Sequence, residues 1–389
     1  MAERAYLDWN ATAPLRREAR AAALAAGDLV GNPSSVHGEG RRARALIEEA
    51  RRRVAALVGA ESRNVIFTSG GTEANLLALS PVLDHHGGKA PRDRLLISAI
   101  EHPSVRCGGR FPPGAVEEIA VSAAGEVELG VLERRLGGGG RPLVSIMLAN
   151  NETGVIQPVA AAAEMVHRAG GILHVDAVQA AGKIPCDIRS LGADLVTLSA
   201  HKLGAPKGVG ALIKREEDLH LADPLMRGGG QERGARAGTE NVAGIAGFGA
   251  AAAAVQANLA EEAARVVGLR DRLEAALRAM CPDVTVFGAA VTRLPNTTAF
   301  AVPGTRADTA LIALDLAGVA VSSGAACSSG KVAASHVLSA MGVDSGLARG
   351  AIRVSLGFST TDEEVNCFLD AWNKVVRALP KGRTDGIAA

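Results

Sequence analysis

Five short runs of nearly continuous apolar residues, 95–100, 143–149, 172–176, 195–199 and 209–213, limit what this chain can fold into more than any other feature. A strand that is apolar on both faces must be covered on both faces, and helical segments such as 159–168 lie between some of these runs. The pattern predicts an α/β fold with a mostly parallel sheet covered by helices. Sheets of that kind carry their chemistry beyond the carboxyl ends of the strands. Polar residues follow the runs there: Glu101 and His102, then Asn150 to Gly154, then Asp176 and Gln179, then His201 and Lys202.

Around this sheet the chain has room for a second unit, since its 389 residues exceed one average domain. Residues 15–258 are expected to form the large domain, and residues 1–14 with 259–389 a smaller α+β domain. A bridging amphipathic helix is predicted over 259–280, strands near 284–287, 298–302, 319–322 and 352–355, and helices over 307–316 and 362–379. Thr361 and Glu364 have the spacing of a capping box for the last helix. An amphipathic helix over 38–58 precedes the first strand, and the turn-forming stretches 6–14 and 31–37 read as ordered loops.

Charge and targeting signals narrow the function. With 42 basic against 41 acidic residues the net charge is +1, so no basic field points to nucleic acid or a membrane surface. The N-terminus lacks a secretory h-region, and the apolar run 244–255 is too short to span a bilayer, so a cytoplasmic protein is expected. Five separated cysteines without a C-x-x-C pair suit a reducing compartment and argue against a structural zinc site. No metal is expected in the resting protein.

The polar residues after the strands suggest one chemistry. Lys202 follows an apolar strand, where an amine is costly to desolvate and its pKa falls readily; the alternative is an ordinary surface lysine. Ser69, Gly70, Gly71 and Thr72 stand between a strand and a helix N-terminus, an arrangement that can cup an anion or be a plain turn. Asp176 can keep a ring nitrogen protonated, or can simply be satisfied within a turn. A lysine, a carboxylate and an anion cup are what pyridoxal 5'-phosphate requires. His102 can relay protons over the ring, Gln179 can donate to its phenolic oxygen, and Ser199, His201 and Thr239 can add phosphate donors. Asn151 and Arg353 are candidates to hold a substrate carboxylate. Cys327, flanked by small residues, is expected on an exposed mobile loop as a nucleophile. Cys107, Cys186, Cys281 and Cys367 read as packing or incidental residues.

Eight motifs in order carry a resemblance: N-P-S-S-V-H-G, F-T-S-G-G-T-E-A-N, E-H-P-S-V, N-N-E-T-G-V-I-Q-P, H-V-D-A-V-Q-A, S-A-H-K, G-G-G-Q-E-R-G-A-R-A-G-T-E-N and S-S-G-A-A-C-S-S-G. Nearly end to end, the chain resembles the cysteine desulfurases, pyridoxal-phosphate enzymes of the class V aminotransferase fold (fold type I), in the nitrogen-fixation and housekeeping iron-sulfur group. The resemblance implies conversion of L-cysteine to L-alanine, with the sulfur passing to a persulfide on Cys327 and on to an acceptor such as an iron-sulfur scaffold, where Cys327 can touch a nascent cluster. It implies Lys202 as the Schiff-base lysine and Asp176, Gln179 and His102 as ring contacts. Thr72, Ser199, His201 and Thr239 become phosphate ligands, together with the Gly71 backbone N–H, and Thr239 acts across a homodimer interface. Asn151 and Arg353 orient the substrate. A selenocysteine lyase or an aminotransferase would share the residues up to 241, and a non-catalytic scaffold would not need both Lys202 and Cys327. Trp9 and Ala13 depart from the family's opening motif and bear on the rim of the site, while the segment 107–115 matches no pattern.

Overall fold

A computed structural model describes residues 4–84, 91–323 and 335–378. Its centre is a seven-stranded sheet in the spatial order Val65–Thr68, Gly210–Lys214, Leu195–Ser199, Ile172–Asp176, Pro142–Met147, Arg94–Ser98 and Val116–Ile119. All pairings are parallel except the two made by Gly210–Lys214, which alone runs in the opposite direction. The register aligns the strand ends: Met147 is opposite Asp176, Asp176 opposite Thr197, and Ser199 opposite Gly210.

Side chains alternate between the two faces of a strand, and the apolar clusters follow that period. Leu95, Ile97, Leu143, Ile172 and Leu195 pack with Ala74 and Leu77 of the helix Gly71–Ala78. Leu96, Val144, Leu173, Val175 and Val196 pack on the other side with Ile47, Val54, Val166 and Phe248 from three further helices. The expected burial on both faces is therefore present. Asp176 shares the face of Ile172, which turns it toward the helix Gly71–Ala78.

The helix Gly38–Leu57 and the strands 172–176 and 195–199 stand where their sequence patterns put them. Other expectations need correction. A helix, Arg17–Gly27, lies between the two turn-rich N-terminal stretches. The expected helix 259–280 is the second half of one helix, Val242–Met280, of 39 residues. Its first half meets Gly38–Leu57 so closely that a Cβ on Gly249 would lie 2.5 Å from Ala50 Cα. The run 319–322 splits: Val319–Ala320 pairs with Ala5–Tyr6, and Ser322–Ser323 joins a second sheet.

That second sheet has the order Thr285–Val286, Thr297–Ala301, Ile352–Ser355, Ser322–Ser323 and is antiparallel. Ala299 and Ala301 face the large cluster, whereas Phe300, Ile352 and Val354 face another built with Leu269, Leu273, Phe368 and Trp372. Phe300 meets Trp372 edge-on at 5.0 Å. The last helix, Asp362–Ala378, carries the expected capping box, with Glu364 N–H donating to Thr361 Oγ1 at 3.3 Å and Thr361 N–H to Glu364 Oε2 at 3.0 Å.

Candidate active site

At the carboxyl end of the large sheet is a cavity of about 530 Å³. Gly71, Thr72, Ser199, His201 and Lys202 line one part of it. His102, Asn151, Asp176 and Gln179 line it as well, so nine of the expected residues converge there. Because one strand is reversed, its amino end reaches the same rim, and Gly208 and Val209 just before it also face the cavity.

Asp176 ends its strand with both oxygens held: Oδ1 accepts from Val178 N–H at 2.9 Å and Oδ2 from Asn75 Nδ2 at 2.8 Å. Asn75 Nδ2 also donates to Ser104 Oγ at 2.9 Å, and Ser104 Oγ lies 2.7 Å from His102 Nδ1. Ser104 N–H points at the same ring nitrogen at 3.2 Å, so Nδ1 is the acceptor and the ring proton belongs on Nε2. Burial lowers the His102 pKa and nearby Lys202 adds to this, against the opposing pull of Asp176. Glu101, wholly buried, accepts from Met147 N–H at 2.6 Å; burial and then the Asp176 charge push its pKa well above the ordinary range.

Lys202 leaves its buried strand through a single 3₁₀ turn, Ala200–Lys202. Its Nζ donates to the carbonyls of Asn10 at 2.5 Å and Ala11 at 2.8 Å. Burial, reinforced by Arg353, lowers its pKa to about 8. His201 Nδ1 lies 3.1 Å from Thr12 Oγ1, and burial with Lys202 pushes its pKa to about 4, so it acts as a neutral ring. Gln179 Nε2 donates to Asn10 O at 2.9 Å.

At the helix N-terminus no side chain caps Gly71–Ala78. Ser69 is already engaged, since its N–H and hydroxyl both donate to Glu73, which in turn pairs with Arg236. Anion donors at this spot are thus the helix's own first N–H groups with Thr72, Ser199 and His201.

Arg353 does not line the cavity but reaches its edge, donating to Asn151 O at 3.1 Å and to Asp8 Oδ1 at 2.7 Å. Its Nε is buried without a partner among the described residues. Thr239 lines a separate small cleft with Glu240 and Asn241. Cys327 lies outside the described residues. Of the other cysteines, Cys186 and Cys281 are buried, Cys367 is partly so, and Cys107 is exposed after the short helix Pro103–Arg106.

Three contributors are absent from the sequence-based list: Asn75, Ser104 and Lys183. The first two stand inside motifs already singled out, T-E-A-N and E-H-P-S; both line the cavity and hold the Asp176 and His102 side chains there. Trp9 departs from the family motif without touching the cavity. Its Nε1 donates to Tyr6 O at 3.0 Å, its ring meets Phe358 edge-on at 4.9 Å, and it covers Gly357. Ala13, the other departure, donates its N–H to His201 O at 3.0 Å.

The chain matches the class-V aminotransferase family over residues 5–368. It is 43% identical over 387 residues to a cysteine desulfurase of Cereibacter sphaeroides, covering 97% of each chain. It is 40% identical over 384 residues to the cysteine desulfurase IscS of Dictyoglomus turgidum, covering 97% of this chain and 96% of that one. The structure of a NifS-like protein from Rickettsia africae superposes with a TM-score of 0.86 at 36% identity, over 96% of this chain and 100% of that one. Together with the mostly parallel sheet and the lysine at its carboxyl edge, these matches show that the chain belongs to the class-V aminotransferase family, among the cysteine desulfurases of fold type I.

Proposed function

We propose that this protein converts L-cysteine to L-alanine with pyridoxal 5'-phosphate, places the sulfur on Cys327 as a persulfide, and supplies it for iron-sulfur cluster assembly. The observation that carries the reading is the convergence of the Lys202 amine, the Asp176 carboxylate and an uncapped helix N-terminus on one cavity. That donor set fits the cofactor's three demands: an amine for its aldehyde, an anion for its ring nitrogen and N–H groups for its phosphate. Lys202 would hold the aldehyde carbon, Asp176 the ring nitrogen, Gln179 and His102 the ring, and Gly71, Thr72, Ser199 and His201 the phosphate. Thr239 would complete the phosphate site of a second copy in a homodimer, which accounts for its position outside this chain's own cavity.

When bound, the cofactor would supply an electron-accepting ring. Asp176, fixed by Asn75 and Val178, holds the proton on the ring nitrogen that makes the ring a strong acceptor. Lys202, with its pKa near 8, is partly unprotonated near neutrality and would serve as the base for the substrate's α-proton. His102 presents a neutral Nε2–H as proton donor. Arg353 and Asn151 hold the substrate carboxylate. The Cys327 thiolate attacks the substrate sulfur: a sulfur–sulfur bond forms as the carbon–sulfur bond breaks, and that bond's electron pair stays with carbon, which gains a proton to become alanine.

The decisive experiment supplies L-cysteine to the cofactor-loaded protein, quantifies alanine and locates the persulfide by mass spectrometry. Alanine with added sulfur on Cys327 is expected. Alanine formed by Cys327→Ser at the parent rate without reductant would refute the nucleophile, and borohydride trapping of the cofactor on a lysine other than Lys202 in the parent would refute the lysine. A sulfur acceptor such as an iron-sulfur scaffold and a cytoplasmic location complete the proposal; co-purification and fractionation test them.

A further inference from the structure

Arg353 stands beside two carboxylates, and each of them holds a serine hydroxyl. On one side Arg353 donates to Asp8 Oδ1 at 2.7 Å, while Ser322 Oγ donates to Asp8 Oδ2 at 2.8 Å. On the other side Arg353 donates to Asn151 O at 3.1 Å, and the next residue, Glu152, accepts from Ser335 Oγ. Glu152 is 3% exposed and Ser335 2%, so this second pair is enclosed. Ser335 also accepts from Leu338 N–H at 3.1 Å, capping the short helix His336–Ala340. Ser322 and Ser335 belong to the described stretches that flank Cys327 on its two sides. One arginine and its two acidic neighbours thus grip the chain both before and after the cysteine.

A buried carboxyl group is costly unless bonded, and an apolar side chain would fill the place of Glu152 at lower cost. Among the described residues the partners of the Glu152 carboxyl group are the hydroxyl of Ser335 and the nearby charge of Arg353. Burial raises its pKa to about 7, with Ser335 and Arg353 opposing. Resting on the reading that Arg353 receives the substrate carboxylate and Cys327 the sulfur, we infer that Glu152 and Asp8 are positioning residues for sulfur transfer. Through Ser335 and Ser322 they fix both flanks of the Cys327 chain to the arginine that holds the substrate.

The test uses the full-length, cofactor-loaded parent and the variants Glu152→Gln, Ser335→Ala and Ser335→Thr. The absorbance change on adding L-cysteine reports substrate binding; quenched-flow alanine and mass spectrometry of Cys327 report sulfur transfer. In Glu152→Gln and Ser335→Ala, half-saturation by cysteine is expected to stay within about twofold of the parent while alanine formation slows by about tenfold or more. Ser335→Thr keeps the hydroxyl and should restore most of the rate. Parent-like alanine rates, or losses that only track weaker cysteine binding, would overturn the inference. If Ser335→Ala fails to fold, Glu152→Gln leaves the helix cap intact and decides alone. A parent that makes no alanine overturns the functional reading and this inference with it, whereas an active parent matched by its variants overturns this inference only.

Discussion

Lys183 Nζ donates to both oxygens of Gln179, at 2.7 Å to the backbone carbonyl and 3.1 Å to Oε1. With Oε1 taken, the amide nitrogen of Gln179 turns to Asn10 O, the same carbonyl that receives Lys202 Nζ. A second, hidden lysine therefore sets the orientation of a residue facing the cavity.

That burial makes stability depend on pH. Burial and nearby Lys202 lower the Lys183 pKa from 10.5 to about 7. Between these values the unfolded chain binds a proton that the folded chain does not, so folding gains stability as pH rises through that window. In urea unfolding of the cofactor-free protein at pH 7, 8 and 9, the parent should gain on Lys183→Met with each step. A constant gap across the series would contradict this.

The His102 ring should hold one tautomer. Ser104 occupies Nδ1 with both its N–H and its hydroxyl, leaving the proton on Nε2. Nitrogen-15 NMR of labelled histidine should show the Nε2–H form in the parent and a mixed population in Ser104→Ala, with alanine formation falling by about tenfold. A pure Nδ1–H signal in the parent would exclude the assignment.

Arg353→Lys should behave as a severe change. The guanidinium reaches Asp8 and Asn151 at once, and an ammonium cannot reproduce that fork. The expected outcome is a rise of about tenfold or more in KM for L-cysteine, corresponding to about 1.4 kcal/mol. An unchanged KM would remove Arg353 from the substrate site.

Trp9 and Gly357 are paired by shape. A Cβ on Gly357 would lie 1.9 Å from Trp9 Cε3, so Gly357→Ala should destabilise the protein by about 1–3 kcal/mol. Adding Trp9→Ala should recover part of that loss, and a double-mutant cycle in urea measures the coupling. Strict additivity would mean that the two residues do not press on one another.

What the sequence disclosed was the part governed by local pattern. The strands 172–176 and 195–199 and the helices 159–168 and 307–316 are as expected because continuous apolar runs and helical periodicity suffice to define them. The helix Arg17–Gly27 escaped because it buries only Ala19 and Ala26, too faint a stripe among turn formers. The start of Val242–Met280 escaped for the opposite reason: its Ala- and Gly-rich first half is apolar all round and shows no period. At the site, residues that face the cavity were legible through their chemistry. Asn75 and Ser104 also line the cavity but were not legible, because Asn75 binds both Ser104 and Asp176, which only the folded topology brings together. Lys183 was not, because its bonds fall on Gln179, one turn earlier, and only the fold shows that contact facing the site.

The helix Val242–Met280 has a mechanical consequence. At 1.5 Å of rise per residue it is a rod of roughly 58 Å, uninterrupted by proline, with Phe248 and Val255 anchored in one apolar cluster and Leu269 and Leu273 in another. Neither anchor can melt without leaving half of the rod without its packing. Heat should therefore dissolve both clusters together, as one calorimetric peak whose van't Hoff and measured enthalpies agree.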